Sequence, residues 1–401
     1  MSKMSPSIER YDRLQYLIFV LFLVINLFFP AWSTDYGLYF CSFILANAAA
    51  AGFIIAAGFL RPTRSPHRRS ITVLIVLILL YLLVNMFVSI RYNPWYWDLG
   101  NKTISFTFLL TFIYKCDHTF LHRYYLIETI LIVAAISSLF GIFFYLAGYD
   151  TMNLRDFKIT LIRLGEYAYY SDTRLTWIYL HKSTHSMMLL LFTALGLRYF
   201  NNFTHKAIPI LCLLTFAIAM YLSNTMTAIA GMVMIYVGFF MYRLLQLPYK
   251  YIKVSLFISL VSIGVIAAIL LYFWVSSNRS ISTLGSRLPI WKASVQAIRD
   301  NPMGVGSDFT KIILWGETNN CHNSFMNEMF RFSIPVGGLY ICIFLFMMCA
   351  TMCKRNFFTL ATWGAFMISI NMDYTLQAQT LSFVLILLYL IFFYEPETVP
   401  S

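Results

Sequence analysis

The sequence predicts an all-α membrane protein that crosses its bilayer many times. Three observations lead there. Hydrophobic residues make up 60% of the 401 and charged residues only 11%, against about 25% charged in a soluble domain. Apolar runs near the ~20 residues of a helical crossing recur along the whole chain. The net charge of +12 comes largely from short polar segments between those runs, the pattern that keeps basic loops on the cytoplasmic side. A water-soluble enzyme is excluded by the first observation and a single-span receptor by the second. An aromatic content of 18% with ordinary Gly and Pro numbers excludes disorder and collagen. The basic balance is read as an orientation signal and an attraction to anionic membrane lipids, with no nucleic acid expected.

About twelve transmembrane helices are read, near 15–33, 37–60, 71–90, 99–114, 124–147, 184–199, 206–222, 225–244, 252–275, 334–353, 356–371 and 378–394. Lys102 weakens the fourth. Residues 1–401 are taken as a single transmembrane domain. The polar start from Met1 to Arg13 has no small-residue cleavage site after it, so the first span is expected to stay. With both termini cytoplasmic, the short inner segments collect Arg61, Arg64, Arg68, Arg69, Arg243, Lys250, Lys253, Lys354 and Arg355, while short outer loops hold only Arg91 and Lys102. Two long outer segments remain, 148–183 and 276–333. Long loops are weakly governed by charge, and loops beyond about 15 residues are usually functional.

Within the second loop, Ile290 to Arg299 has helical spacing. Trp291, Val295 and Ile298 are expected on one face and Lys292, Gln296 and Arg299 on the other. Pro302, Gly304 and Gly306 stop the helix. A short amphipathic helix carrying Trp beside a span suits the membrane–water interface or a simple cap over the bundle.

Polar residues at the outer ends carry the candidate chemistry. Arg287 presents a permanently charged fork of donors suited to a diphosphate; the alternative is a snorkelling or salt-bridged arginine. His322 carries an imidazole, a side chain that can take a proton from a hydroxyl, with Asn323 beside it; the alternative is a structural hydrogen-bonder. Ser223-Asn224-Thr225 either touches sugar or caps two helices. His181 and His185 share a helix face. A metal there lacks supporting ligands, so contact with substrate or phosphate is favoured. Asp373 lies in the loop between the last two spans and either orients Arg287 or His322 or belongs to a hydrophilic loop. The seven cysteines form no zinc or disulfide frame.

Leu284-Gly-Ser-Arg287-Leu-Pro-Ile-Trp291, Asn301-Pro-Met-Gly304-Val-Gly306, His322-Asn323 and Gly337-Gly338 occur in that order. Together they resemble the O-antigen ligase and O-antigen polymerase superfamily of bacterial inner-membrane glycosyltransferases. The resemblance covers roughly residues 222–340 and implies the following. The two long loops, 148–183 and 276–333, are periplasmic, as is the active site. The donor is an undecaprenyl-diphosphate-linked glycan, and the acceptor is a lipid A-core sugar or a second lipid-linked glycan. The reaction needs no metal or other cofactor. Arg287 and His322 are the expected catalytic pair. Asn323, Arg174, Lys182, His181, His185, Trp291, Arg331 and Thr225 are expected to contact substrate. One position departs from the family pattern: Met226 stands where an Arg is expected before the eighth span, so Arg174, Lys182 or Arg331 must supply that charge.

Ligase activity in lipopolysaccharide biosynthesis is the preferred reading, with a polysaccharide polymerase as the alternative. A polar-lipid or solute transporter is a second alternative, but transporters place charges at the bilayer midplane. Here the polar residues gather at outer ends.

Overall fold

The computed structural model describes residues 6–28, 68–92, 96–115, 125–155, 158–164, 174–179, 181–203, 205–248, scattered positions between 254 and 273, 287–306, 321–352, 356–373, 375–376 and 378–394. These residues are mostly helical. The expected span at 37–60 lies outside them, and that at 252–275 is described only at isolated positions, all helical. The chain divides into two compact units, one of residues 1–75, 97–224 and 376–401, the other of residues 76–96 and 225–375.

The first unit holds α1 (Pro6–Phe28), α3 (Tyr96–Lys115), α4 (Leu126–Leu146), a hairpin of β1 (Tyr149–Arg155) and β2 (Lys158–Arg163), α5 (Lys182–Arg198), α6 (Ala207–Ser223) and α12 (Ala378–Phe392), and it receives the start of α2 (Arg68–Arg91). Its centre is α5, buried from Ser183 to Leu197 without interruption. A helix buried all round must satisfy its own polar groups, and Thr193 does so by donating to the Leu189 carbonyl at 2.8 Å. Phe22, Phe108, Phe192 and Phe383 interlock around it, with Phe22 and Phe108 centroids 4.8 Å apart.

The antiparallel hairpin was not anticipated in the loop expected at 148–183. Arg155 pairs with Lys158 and Tyr149 with Arg163, with an irregularity between Tyr149 and Thr151. Trp177 then ties the following segment to α4. Its indole N–H donates to the Ser137 hydroxyl at 3.0 Å, and its ring stacks on Phe144 at 5.7 Å.

The second unit holds the rest of α2, α7 (Met226–Leu245), α8 (Arg287–Asp300), α9 (Ser324–Arg331), α10 (Ile334–Met352) and α11 (Phe357–Met372). α7 lies along α11, with Phe239 and Phe358 edge to face at 5.9 Å. The buried stripe of α8 is Ile290, Ser294 and Ile298. This corrects the expected face: Val295 is 37% exposed. Positions 290, 294 and 298 keep strict i, i+4 spacing, and Ser294 is tolerated inside because its hydroxyl donates back to the Ile290 carbonyl at 2.8 Å.

The motif glycines are packing devices. Gly304 has φ +81°, and a Cβ there would lie 2.5 Å from the Phe332 carbonyl carbon and 2.7 Å from the Arg331 carbonyl oxygen. The turn therefore closes directly onto the end of α9, where the Val305 N–H donates to the Phe330 carbonyl at 3.0 Å. Gly337 lets α10 lie against the α9 backbone; a Cβ there would meet the Met329 nitrogen at 2.8 Å. Gly304→Ala combines left-handed strain with overpacking, about 1–2 and 1–3 kcal/mol respectively. The expected result is a thermal inactivation midpoint several degrees lower in detergent, measured by a melting scan.

Among the described residues, four helices are long and apolar enough to cross a membrane: Ser70–Arg91 within α2, α4, α7 and α10. Shorter apolar stretches occur at Phe19–Phe28, Ala207–Ser223, Phe357–Met372 and Thr380–Phe392. α2 shows what such a helix presents outward: Leu79, Leu80, Leu83, Met86, Phe87 and Ile90 are all exposed. In water this stripe would be costly, at about 25 cal/mol per Å² of apolar surface; in lipid it is matched.

Candidate active site

Three chain segments of the second unit meet at one carboxylate. α11 ends at Met372, and Asp373 caps it in extended conformation, 4% exposed. Its Oδ1 lies 3.1 Å from His322 Nδ1 and its Oδ2 lies 3.9 Å from Arg287 Nη2. The side chains of Arg287 and His322 keep 18% and 28% of their surface exposed, against 6% for Asp373. The bridge is thus inside, and the two groups it joins face outward.

Arg287 begins α8. A cation at a helix start opposes the macrodipole by about 0.3–1 kcal/mol. Its Nε donates to the Met372 carbonyl at 2.5 Å, one of the carbonyls α11 leaves unpaired at its C-terminus. A hydrogen bond from a charged donor contributes about 1.5–3 kcal/mol, so this contact and Asp373 decide the position.

His322 has φ 47°, a left-handed backbone that non-glycine residues rarely adopt. The distortion turns the chain into α9. Asn323 is the N-cap of α9: its Oδ1 accepts from the Phe325 and Met326 N–H groups, both at 2.9 Å. Its Nδ2 donates to the Asn371 carbonyl and side-chain oxygens at 3.2 and 3.0 Å. Ser324 donates to the Asp373 carbonyl and accepts from the Thr375 N–H, both at 3.3 Å. Trp291 reaches the His322 carbonyl at 3.5 Å. The start of α9 is laced to the end of α11, so the imidazole and the carboxylate are held as a pair.

An ionised carboxylate only accepts hydrogen bonds. Asp373 therefore selects the tautomer of neutral His322 that carries its proton on Nδ1 and its lone pair on Nε2. Such a ring can accept a proton from a hydroxyl, while Arg287 can hold an oxyanion. Cys321 is no competitor: burial pushes its thiol up to about 11, against smaller lowering by its Ser294 hydrogen bond and by the Arg331 charge.

The remaining sequence candidates are placed as follows. Arg331 is half-buried in the last turn of α9. Thr225 is buried at the N-cap position of α7 without a side-chain capping bond, and Asn224 closes α6 in left-handed conformation. Arg174, His181, Lys182 and His185 belong to the first unit. His181 and Lys182 are half-buried at the start of α5. His185 is 2% exposed, stacked on Tyr179 at 5.6 Å, with Nδ1 at 3.2 Å from both the Leu175 carbonyl and the Ser223 hydroxyl. Its contacts are interior ones.

Sequence reasoning named Asp373 only as one alternative among orienting roles, and the structure gives it both partners at once. The supporting roles of Asn371 and Ser324 were not read from the sequence. Their signal was present: two polar side chains flank each of two helix ends in otherwise apolar sequence.

The architecture and this cluster define a class, a multi-pass α-helical membrane protein with a charged, hydrogen-bonded site built from helix ends. Comparison with protein families refines it. Residues 211–338, less than half of the chain, match the O-antigen ligase family. That segment is similar to the O-antigen ligase family, whose members are glycosyltransferase-like enzymes, and the match supports the resemblance to the O-antigen ligase superfamily. No curated protein matches the chain. Arg287, Trp291, His322 and Asn323 fall inside the matched segment; Asp373 lies beyond it.

Proposed function

We propose that the protein is an O-antigen ligase-like glycosyltransferase. It moves a glycan from undecaprenyl diphosphate to a lipid A-core sugar at the periplasmic face of the bacterial inner membrane. The observation that carries this reading is the Asp373 carboxylate joining Arg287 and His322 in one partly exposed cluster.

In this scheme the Arg287 guanidinium pairs with the donor diphosphate. As the sugar–phosphate bond breaks, negative charge grows on the leaving oxygen, and a fixed donor stabilises that charge without reorganising. Nε2 of His322 accepts the proton of the attacking acceptor hydroxyl, and Asp373 stabilises the imidazolium so formed. Asn323 orients the ring through the backbone turn it caps. Trp291 and Arg331, on α8 and α9, line the approach for sugar and phosphate. Arg174, His181, Lys182, His185 and Thr225 are secondary to this cluster. The full scheme needs no metal ion, because the guanidinium supplies the cation.

Met226, at the start of α7 where the resemblance expects an Arg, favours a second reading, a polymerase that joins lipid-linked repeats. Transfer from a lipid-diphosphate glycan in reconstituted membranes separates the two. Purified lipid A-core and a second lipid-linked repeat are offered as acceptors, without added metal or nucleotide. Product on lipid A-core is the expected result; elongation of the lipid-linked repeat alone selects the polymerase, and no product on either acceptor rejects both.

A further inference from the structure

We propose that Glu328 is a positioning residue whose hydrogen bond to Tyr81 clamps α9 against the middle of α2. The clamp holds the His322 corner in register with Arg287 and Asp373. The functional part of this inference rests on the glycan-transfer reading above.

The crossing segment of α2 runs from Ser70 to Arg91, and Tyr81 falls near its midpoint. At about 1.5 Å per residue, roughly 15 Å of helix lies on either side. The Tyr81 hydroxyl nevertheless donates to Glu328 Oε1 at 2.5 Å. Glu328 belongs to α9, inside the segment expected to form an outer loop. α9 is therefore sunk between the crossing helices. Tyr340 gives a second marker of depth: it lies inside α10, beyond its start at Ile334, and its ring is 5.6 Å from Tyr81 and 6.2 Å from Phe325 of α9. Tyr81, Tyr340, Phe332 and Glu328 are all at most 4% exposed.

The contact is part of a longer polar run. Asn85 Nδ2 donates to the Tyr81 hydroxyl at 3.2 Å, and the Ser89 hydroxyl donates to Asn85 Oδ1 at 3.2 Å. Both are fully buried. Residues 81, 85 and 89 repeat every four positions, one polar edge on a helix whose other faces are apolar and exposed. Polar groups at membrane depth are costly and persist where they carry a task. This edge gives the Glu328 carboxylate a fixed seat.

The link from that seat to the site is short and stiff. Asn327, next to Glu328, accepts the Cys321 N–H at 3.2 Å through Oδ1. Cys321 directly precedes His322. Any shift of α9 along α2 must move the imidazole relative to Asp373, and displacements near 1 Å cost up to ~10²-fold in rate.

Cys321, 0% exposed, supplies a reporter that does not depend on activity. The test uses the full chain in lipid nanodiscs, with the other six cysteines replaced, and follows maleimide labelling of Cys321 alongside transfer kinetics. Tyr81→Phe removes one oxygen. It is expected to lower kcat about tenfold or more while KM for the lipid-linked donor stays within about twofold. It is also expected to speed Cys321 labelling by about tenfold or more. Glu328→Gln keeps an acceptor oxygen for Tyr81 and is expected to preserve both readouts. Parent-like labelling in Tyr81→Phe overturns the clamp. Loss of transfer in Glu328→Gln with Cys321 still protected overturns it in favour of direct chemistry at the carboxylate. If the parent protein transfers no glycan to any acceptor, the functional reading fails, and the labelling rates still decide the clamp.

Discussion

Arg287→Ala is expected to reduce glycan transfer by about 10²–10³-fold, the cost of removing one donor preorganised for developing negative charge. The loss should appear in kcat/KM for the lipid-diphosphate donor, measured as initial rates in nanodiscs. Arg287→Lys is expected to recover little. An ammonium carries the charge but not the fork, and the Nε bond to the Met372 carbonyl has no equivalent in it. A melting scan on the same preparations separates chemistry from folding. Arg287 ties α8 to the end of α11, so a modest fall in stability is expected beside the large fall in rate. Full activity in Arg287→Ala rejects its role.

His322→Ala is expected to cost about 10²–10⁴-fold, the usual range for a general base. Asp373→Asn is the more informative partner. Asparagine keeps the size of the side chain but replaces the charge, so it can neither fix the ring tautomer as an anion nor balance the imidazolium. Groups that act as one unit are strongly non-additive. The double variant His322→Ala/Asp373→Asn should therefore be no slower than His322→Ala alone, once any effect on Arg287 is measured in an Arg287→Ala background. Additive losses, with Asp373→Asn costing the same whether or not His322 is present, would mean the carboxylate works independently of the ring.

Much of the helical layout was legible because apolar runs in a membrane protein are long and their ends are marked. The reading of 71–90 became α2 at Arg68–Arg91, 225–244 became α7 at Met226–Leu245, and 356–371 became α11 at Phe357–Met372. α1 starts at Pro6, well before the apolar run, because hydropathy sees only the apolar part of a helix. The hairpin was missed although Thr160 and Ile162 alternate with Leu161 and Arg163 around it; the charges in that stretch drew the reading toward a loop. On α8 the expected face was wrong by about one residue's rotation, since the reading followed the apolar Trp291 and Val295 and left Ser294 unplaced, whereas the buried stripe is Ile290, Ser294 and Ile298.

The site was legible in part for a related reason. Arg287 and His322 were visible by charge, in an order that a family shares. Asp373 lies 51 positions from His322, and Tyr81 lies 247 from Glu328. No local spacing rule connects residues so far apart. Only the packing of helices against one another brings them together.

The order in which the three contributors leave the ribosome also matters. The guanidinium comes at position 287, the imidazole at 322, and the carboxylate that joins them only at 373, after α10 and all of α11 have been made. A nascent or prematurely terminated chain carries the first two without their bridge. If the proposed glycan transfer holds, such a chain stays unarmed until its translation has passed the final bend.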